Sequence, residues 1–202
     1  MKVAFSIVVP VYNAEETLEQ TLTSVAGQSF KNFELILLND GSSDGSKDIC
    51  ENWISQHPEI ESQYFYQENA GLGNARNNAI AKAKNPWIAL LDADDLWDAK
   101  KLETVAQQIE KQEADVIYHP VITFGLENRR QRPCPEISNV VDILEKGNPI
   151  IPSAVVVKAE ILKKYPFSEN IDFHGAEDFL LWITLLKNQC SFLKINNIDF
   201  KC

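Results

Sequence analysis

The sequence predicts an α/β fold, a mostly parallel sheet sandwiched by helices, and three observations carry that expectation. Short β-branched apolar runs alternate with stretches whose apolar residues recur at helical spacing. The connections between them are short. The polar and glycine-bearing loops each follow a predicted strand, on the edge where open α/β sheets bind their ligands. At 202 residues, with 45% hydrophobic and 24% charged residues, one well-buried domain over 1–202 is expected.

The first unit is the strand Ser6-Ile7-Val8-Val9-Pro10, closed by its proline, then a helix over 15–27 with Leu18, Leu22, Val25 and Ala26 on one face. The second is a strand over 33–38, the turn Asn39-Asp40-Gly41-Ser42-Ser43-Asp44-Gly45, and a helix carrying Ile49, Cys50, Trp53 and Ile54. Tyr64-Phe65-Tyr66, the loop 68–73 and a helix bearing Leu72, Ala75, Ala79 and Ile80 repeat the pattern. Trp87-Ile88-Ala89-Leu90-Leu91 is a buried strand, and Leu102, Val105, Ala106 and Ile109 mark a helix that Asp98 can cap. After Asp115 the rhythm loosens. Strands are expected over 116–118, 121–124, 154–157, 192–195 and 198–200, and a helix over 176–187. The charged, proline-punctuated stretch 127–135, with Arg129-Arg130-Gln131-Arg132, reads as a solvated loop.

The formal net charge of -10 argues against a nucleic-acid-binding surface, which would normally show a basic stripe, so no nucleic acid is expected as a partner. Cys50, Cys134, Cys190 and Cys202 are far apart, without the short paired spacing of a zinc or dithiol site, so reduced structural thiols are expected. No apolar run approaches the ~18 residues of a membrane span. Met1-Lys2-Val3 leads straight into a strand rather than a signal peptide. The expected location is therefore cytoplasmic, free or at the inner face of a membrane.

Chemistry concentrates at Asp92-Ala93-Asp94-Asp95, three carboxylates in four positions at the end of a buried strand. Like charges there repel and resist desolvation, which calls for a cation, and all-oxygen ligands suit Mg²⁺ or Mn²⁺. Asp40, at the end of another strand, can accept from a ribose hydroxyl or a base N–H, or close an Asx turn. Gly71 and Gly73 let backbone approach a ligand, or Gly73-Asn74 simply starts a helix; Arg76 follows at that helix start, which favours anions, where it could equally form a structural ion pair. Glu177 and Asp178 open a helix, where acids complement the dipole with or without a catalytic role. His174 is a lone loop histidine, and Trp182 could stack on a sugar or pack in the core.

Taken together, these loops resemble the glycosyltransferase family 2 type of GT-A domain. Ser6-Ile7-Val8-Val9-Pro10-Val11-Tyr12-Asn13 resembles its first strand and donor loop, and Asn39-Asp40-Gly41-Ser42-Ser43-Asp44 its second motif. Asn69-Ala70-Gly71-Leu72-Gly73-Asn74-Ala75-Arg76-Asn77 is similar to its third, Asp92-Ala93-Asp94-Asp95 to its D-x-D element, and Glu177-Asp178-Phe179-Leu180-Leu181-Trp182 to its acidic helix start. The resemblance implies a metal-dependent, inverting transfer of one sugar from a nucleotide diphosphate, UDP above others, to a hydroxyl of a glycan or glycolipid, as in cell-surface polysaccharide or lipooligosaccharide synthesis.

Carried over by position, it implies that Pro10, Tyr12, Asp40, Arg76 and Asp92 serve the donor nucleotide and that Asp94 holds Mn²⁺ or Mg²⁺. Asp178 would be the base, with Glu177, His174 and Trp182 as secondary or acceptor residues. It divides the chain into a donor half, about 1–97, and an acceptor half, about 98–202. Three departures accompany it. Ala79 stands where a glycine is usual, no Gln-x-x-Arg-Trp segment is present, and the chain stops at Cys202, before a histidine that often completes the metal or diphosphate site. A C-terminally truncated catalytic domain is therefore expected, with any membrane association peripheral or through missing residues. Two alternatives stay open: a nucleotide-sugar-binding domain without turnover, and a nucleotidyltransferase, which would need a glycine-rich phosphate loop where Pro10-Val11-Tyr12-Asn13 stands.

Overall fold

The structure is a computed structural model that describes residues 3–123 and 130–195. The first half runs β1 (Phe5–Val11), α1 (Leu18–Ala26), β2 (Phe33–Asp40), α2 (Ser46–Gln56), β3 (Glu61–Gln67), α3 (Leu72–Lys82) and β4 (Trp87–Leu90). The second half runs α4 (Lys101–Lys111), β5 (Val116–Tyr118), β6 (Ile122–Thr123), β7 (Arg130–Gln131), α5 (Val140–Lys146), β8 (Val155–Lys158), α6 (Ala159–Lys164), α7 (Glu177–Lys187) and β9 (Phe192–Lys194), with 3₁₀ turns at Pro152–Ala154 and Ile171–Phe173.

Both halves contribute to one seven-stranded sheet, ordered β3-β2-β1-β4-β8-β5-β9. Every residue of β1, β2 and β4 is buried, because helices cover both sheet faces and successive side chains point to opposite sides. Ile7 and Val9 face the layer formed by α1, α2 and α4, whereas Val8 joins Ile36, Leu90 and the apolar faces of α3, α6 and α7. The sheet is parallel through β3, β2, β1 and β4. β8 then runs antiparallel to both β4 and β5, and β9 is parallel to β5. That reversal places the start of β8 beside the end of β4, with Val156 opposite Ala89.

Several expectations change here. Of the strand expected over 121–124, Ile122–Thr123 is strand and Val121 is not, while 124 lies outside the described residues. Part of the basic stretch expected as loop is strand β7, which pairs antiparallel with β6. The strand expected over 198–200, like Cys202, lies outside the described residues. Asp98 accepts from the Lys100 N–H at 2.9 Å, one turn ahead of α4, whose own N-cap position is Lys100. Helices α5 and α6 were not expected; at seven and six residues they are too short to show a period. Among the described residues no helix is long and apolar enough to cross a membrane.

Candidate active site

The loops after β1 and β2 are stitched to each other. Asn13 adopts φ 47°, a left-handed conformation that asparagine tolerates, and its Oδ1 accepts from the Ser43 N–H at 2.9 Å. Ser42 Oγ and Ser46 Oγ accept from the N–H groups of Asn13 and Ala14, and Asp44 accepts from that of Glu15. Glu15 returns the link by accepting from the Gly45 N–H at 2.7 Å. This serine-rich turn therefore fixes the loop that carries Tyr12, which is 55% exposed.

Asp40 ends β2 almost fully buried, and its carboxylate organises the third loop. Oδ1 accepts from the Ala70 N–H at 2.9 Å and from Gln67 Nε2 at 2.7 Å, and Oδ2 accepts from the Gly71 N–H at 3.0 Å. The Asx turn in this segment belongs to Asp44, whose Oδ1 accepts from the Ser46 N–H at 3.0 Å, while Asn39 Oδ1 accepts from the Ser42 N–H. With about four acceptor positions on a carboxylate, three of them engaged, Asp40 keeps roughly one for a ligand. Gly71, at φ +89°, faces open space, but Gly73 does not: a Cβ there would meet the Ser168 carbonyl oxygen at 2.1 Å. Of the two readings of Gly73, the helix start holds, since it lies in the first turn of α3, and ligand approach is corrected, because the loop backbone at Ser168 fills that space.

The loops border a cavity of about 700 Å³, within the range of small-molecule sites. Pro10, Tyr12, Asp40, Asp92, Asp94 and His174 all line it. Arg76 stands behind them, only 2% exposed, with Nη2 donating to Asp92 Oδ1 at 2.6 Å and its guanidinium over the Phe167 ring at 5.2 Å. Its Nε is buried without a hydrogen-bond partner. Arg76 thus reaches the cavity through Asp92.

The three acids of the β4 loop occupy different environments. Asp94 is exposed at the cavity, Asp92 is ion-paired, and Asp95 is half-buried. Burial pushes the Asp95 carboxyl up to about 6; the Ser153 hydroxyl opposes that rise, Asp92 and Asp94 add to it, and buried Lys101 also opposes it. Lys101 lies over the Trp97 ring at 3.9 Å and donates to the Ser153 carbonyl. No group of three or more His, Cys, Asp or Glu side chains is arranged for a metal among the described residues. One exposed carboxylate beside a second at the rim still fits Mn²⁺ or Mg²⁺, which take one or two protein carboxylates and draw other oxygens from substrate phosphates and water.

Asp178, in the first turn of α7, senses the charges of both Arg76 and Asp92. Burial raises its carboxyl above the ordinary range, against hydrogen bonds from Asn148 and the Phe179 N–H and the attraction of Arg76. Glu177, buried, accepts from the Gly175 N–H at 3.0 Å and lies 3.5 Å from His174 Nδ1, so it holds the loop that brings His174 to the cavity. Trp182 is corrected: it is fully buried, its Nε1 donates to the Ile150 carbonyl at 3.1 Å, and it cannot stack on a sugar.

Residues 6–177 match the family described as glycosyl transferase family 2. The chain belongs to that family. Glycosyltransferase GlyG of Streptococcus pneumoniae is 35% identical over 118 residues, which are 58% of this chain and 38% of that relative. The chain thus spans little more than a third of the length of this curated relative. S. aureus TarS in complex with UDP superposes with a TM-score of 0.83 at 23% identity, covering 99% of this chain and 60% of that one. A mannosyltransferase from Pyrobaculum calidifontis, PcManGT in complex with GDP-Man and Mn²⁺, gives 0.77 at 16% identity, covering 100% and 57%. At those identities the likeness establishes the fold of this family 2 chain, a GT-A sheet with flanking helices.

Two residues that sequence reasoning passed over touch the site acids: Asn148 on Asp178 and Ser153 on the Asp92 loop. The only signal available was their setting, each beside a proline in Asn148-Pro149-Ile150-Ile151-Pro152-Ser153.

Proposed function

We propose that this family 2 chain is the catalytic portion of a metal-dependent, inverting glycosyltransferase that moves one sugar from a UDP-sugar to a hydroxyl of a glycan or glycolipid. The observation that carries the reading is the gathering of four separate strand-end loops on one cavity, with the Asp178 carboxylate of the second half outside that lining but close enough for the charges of Arg76 and Asp92 to act on it. The donor half is about 1–97 and the acceptor half about 98–202. TarS is described in complexes with UDP and UDP-GlcNAc, which supports a uridine diphosphate donor.

In this reading Pro10 and Tyr12 frame the base, Asp40 offers its remaining acceptor position to the nucleoside, and Asp92, braced by Arg76, sits at the ribose–diphosphate junction. Asp94 would hold Mn²⁺ or Mg²⁺. A bound divalent ion neutralises the negative charge that builds on the departing diphosphate. Asp178 takes the proton of the acceptor hydroxyl as its oxygen bonds to the anomeric carbon; the bond from that carbon to the diphosphate oxygen breaks, and its electron pair leaves with UDP. Attack from the face opposite the leaving group inverts the anomeric centre without a sugar–enzyme intermediate.

The test has two parts. Calorimetric titration of the purified protein with UDP is expected to show binding strengthened at least about tenfold by MnCl₂, consistent with a site completed by ligand phosphates. Binding indifferent to MnCl₂ would remove the metal from the proposal. A panel of UDP-sugars scored by UDP release should then single out a donor, and Asp178→Asn should bind UDP normally while losing at least about 100-fold in turnover. Binding without turnover of any sugar would instead favour a nucleotide-sugar-binding domain.

A further inference from the structure

Residues 148–153 link the two ends of the proposed chemistry, and none of them figures in the reading above. The segment leaves Gly147 at φ +73° and enters β8 through the 3₁₀ turn at Pro152–Ala154. Pro149 and Pro152 fix two backbone angles and bias the residues before them toward extended conformations, as Ile151 shows at φ -93°, ψ 137°. The segment is therefore stiff before any tertiary contact forms.

It is fastened at three points. Asn148 Nδ2 donates to Asp178 Oδ2 at 2.8 Å, while the Phe179 N–H donates to Oδ1 at 2.7 Å, so both oxygens of that carboxylate are held. The Ile150 carbonyl accepts from Trp182 Nε1. Ser153, fully buried, accepts through its hydroxyl from the Asp92 N–H at 2.9 Å; its carbonyl accepts from Trp97 Nε1 at 2.8 Å and from Lys101.

The Trp182 bond alone suffices to dock the segment on α7. The Asn148 amide does something else, for its Oδ1 is buried without a hydrogen-bond partner among the described residues while its NH₂ is spent on Asp178. A side chain kept for packing would be better replaced by an apolar one. We propose that residues 148–153 form a positioning strap: Asn148 sets the orientation of the Asp178 carboxylate, and Ser153 sets the backbone of the loop that presents Asp92 and Asp94, so that base and donor loop keep a fixed mutual registration. The strap rests on the assignment of Asp178 and the Asp92 loop made above. Neither residue touches substrate; each acts through the acid it holds.

The two ends predict separable defects, measured on the full chain by UDP release from UDP-GlcNAc with water as acceptor and by calorimetry with UDP in MnCl₂. Asn148→Ala should lower kcat about tenfold or more while the KM for UDP-GlcNAc and the Kd for UDP stay within about twofold, the size expected when a supporting hydrogen bond is lost. Ser153→Ala should weaken UDP binding in MnCl₂ about five- to tenfold, and Ser153→Thr, which keeps the hydroxyl, should restore it to within about twofold. Unaltered UDP affinity in Asn148→Ala also certifies that the variant is folded.

Wild-type kcat in Asn148→Ala, in a protein whose Asp178→Asn form is inactive, would overturn the strap and leave the base standing. Wild-type turnover in Asp178→Asn would overturn the base itself and the strap with it. Equal losses of kcat and UDP affinity in Asn148→Ala, or a Ser153→Thr variant no better than Ser153→Ala, would reduce these contacts to general packing and overturn the strap.

Discussion

Asp92 and Arg76 illustrate why single residues in this site cannot be given one role each. Asp92 faces the cavity, but its Oδ1 is also the hydrogen-bond partner of a guanidinium whose side chain is 3% exposed. Removing the carboxylate would strand a buried cation. Asp92→Ala is accordingly expected to destabilise the fold by about 3 kcal/mol, more than an exposed acid would, as read from urea unfolding. An unfolding midpoint equal to that of Asp94→Ala would argue that the pair matters little.

Asp178 carries the opposite tension, since burial raises its pKa and Arg76, Asp92 and Asn148 all act on the carboxyl. The folded state holds that proton more tightly than the unfolded chain does. Stability therefore falls as pH rises from the ordinary value of 3.8 through the raised folded value, and the loss persists above it. Only the ionised form can accept a proton, so turnover should rise with pH across the raised value, giving an acidic limb above the ordinary carboxylate range. Asp178→Asn escapes the penalty and should be at least as stable as wild type at pH 7 while inactive. A limb at the ordinary carboxylate value, or a destabilised Asn variant, would contradict this account.

At the scale of elements, α3 is gripped by the chain just before α7. The Phe167 N–H donates to Asn77 Oδ1 and its carbonyl accepts from Asn77 Nδ2, while Glu169 accepts from both Asn74 and Asn77. Gly73 is the point of closest approach. Gly73→Ala should cost about 1–3 kcal/mol or more, because backbone rather than a flexible side chain must yield. Gly71→Ala has room but would hold alanine at φ 89°, ψ 159°, a region that essentially only glycine adopts, and should cost about 1–3 kcal/mol. Equal midpoints for Gly73→Ala and wild type in urea would show that this contact gives way easily.

The same contact marks how far the sequence could be read. Buried runs such as Ile7-Val8-Val9 announce their strands because local pattern and burial coincide, and the acids at 92–95 and 177–178 announce a site because like charges are costly to place together. For Gly73 only the helix start was legible, because the reason for a glycine there lies in Ser168, far along the chain, and glycine looks alike whether it makes room for a phosphate or for a carbonyl. Asn148 and Ser153 were missed because a lone polar residue in a loop carries no period and no charge.

Over the whole molecule, the antiparallel turn of β8 decides which second-half residues reach the site. Strands β1, β2 and β4 bring their loops to one edge, and a parallel β8 would have delivered its start to the opposite edge. Running antiparallel to β4, it brings Ser153 and its strap to the Asp92 loop instead. β8 is in turn held against the far end of the sheet, β5 and β9, through Asp115. That carboxylate accepts from Lys158 Nζ at 2.9 Å and from the Ser191 N–H and hydroxyl at 2.8 and 2.9 Å.

Burial pushes the Asp115 carboxyl up, but the Ser191 backbone, Lys158 and the Ser191 hydroxyl outweigh it, so its pKa lies below the ordinary value of 3.8. Its stabilisation is thus present above the unfolded value and is lost as pH falls through the lower folded one. Asp115→Ala should cost about 2 kcal/mol in urea unfolding at pH 7, a difference that stays level down to about pH 5 and narrows below pH 4. UDP affinity in MnCl₂, measured where both proteins are fully folded, should not change, because the anchor lies at the far edge of the sheet. A weakened UDP affinity would mean that the edge strands tune the donor loop through β8, and that the sheet transmits strain across its width.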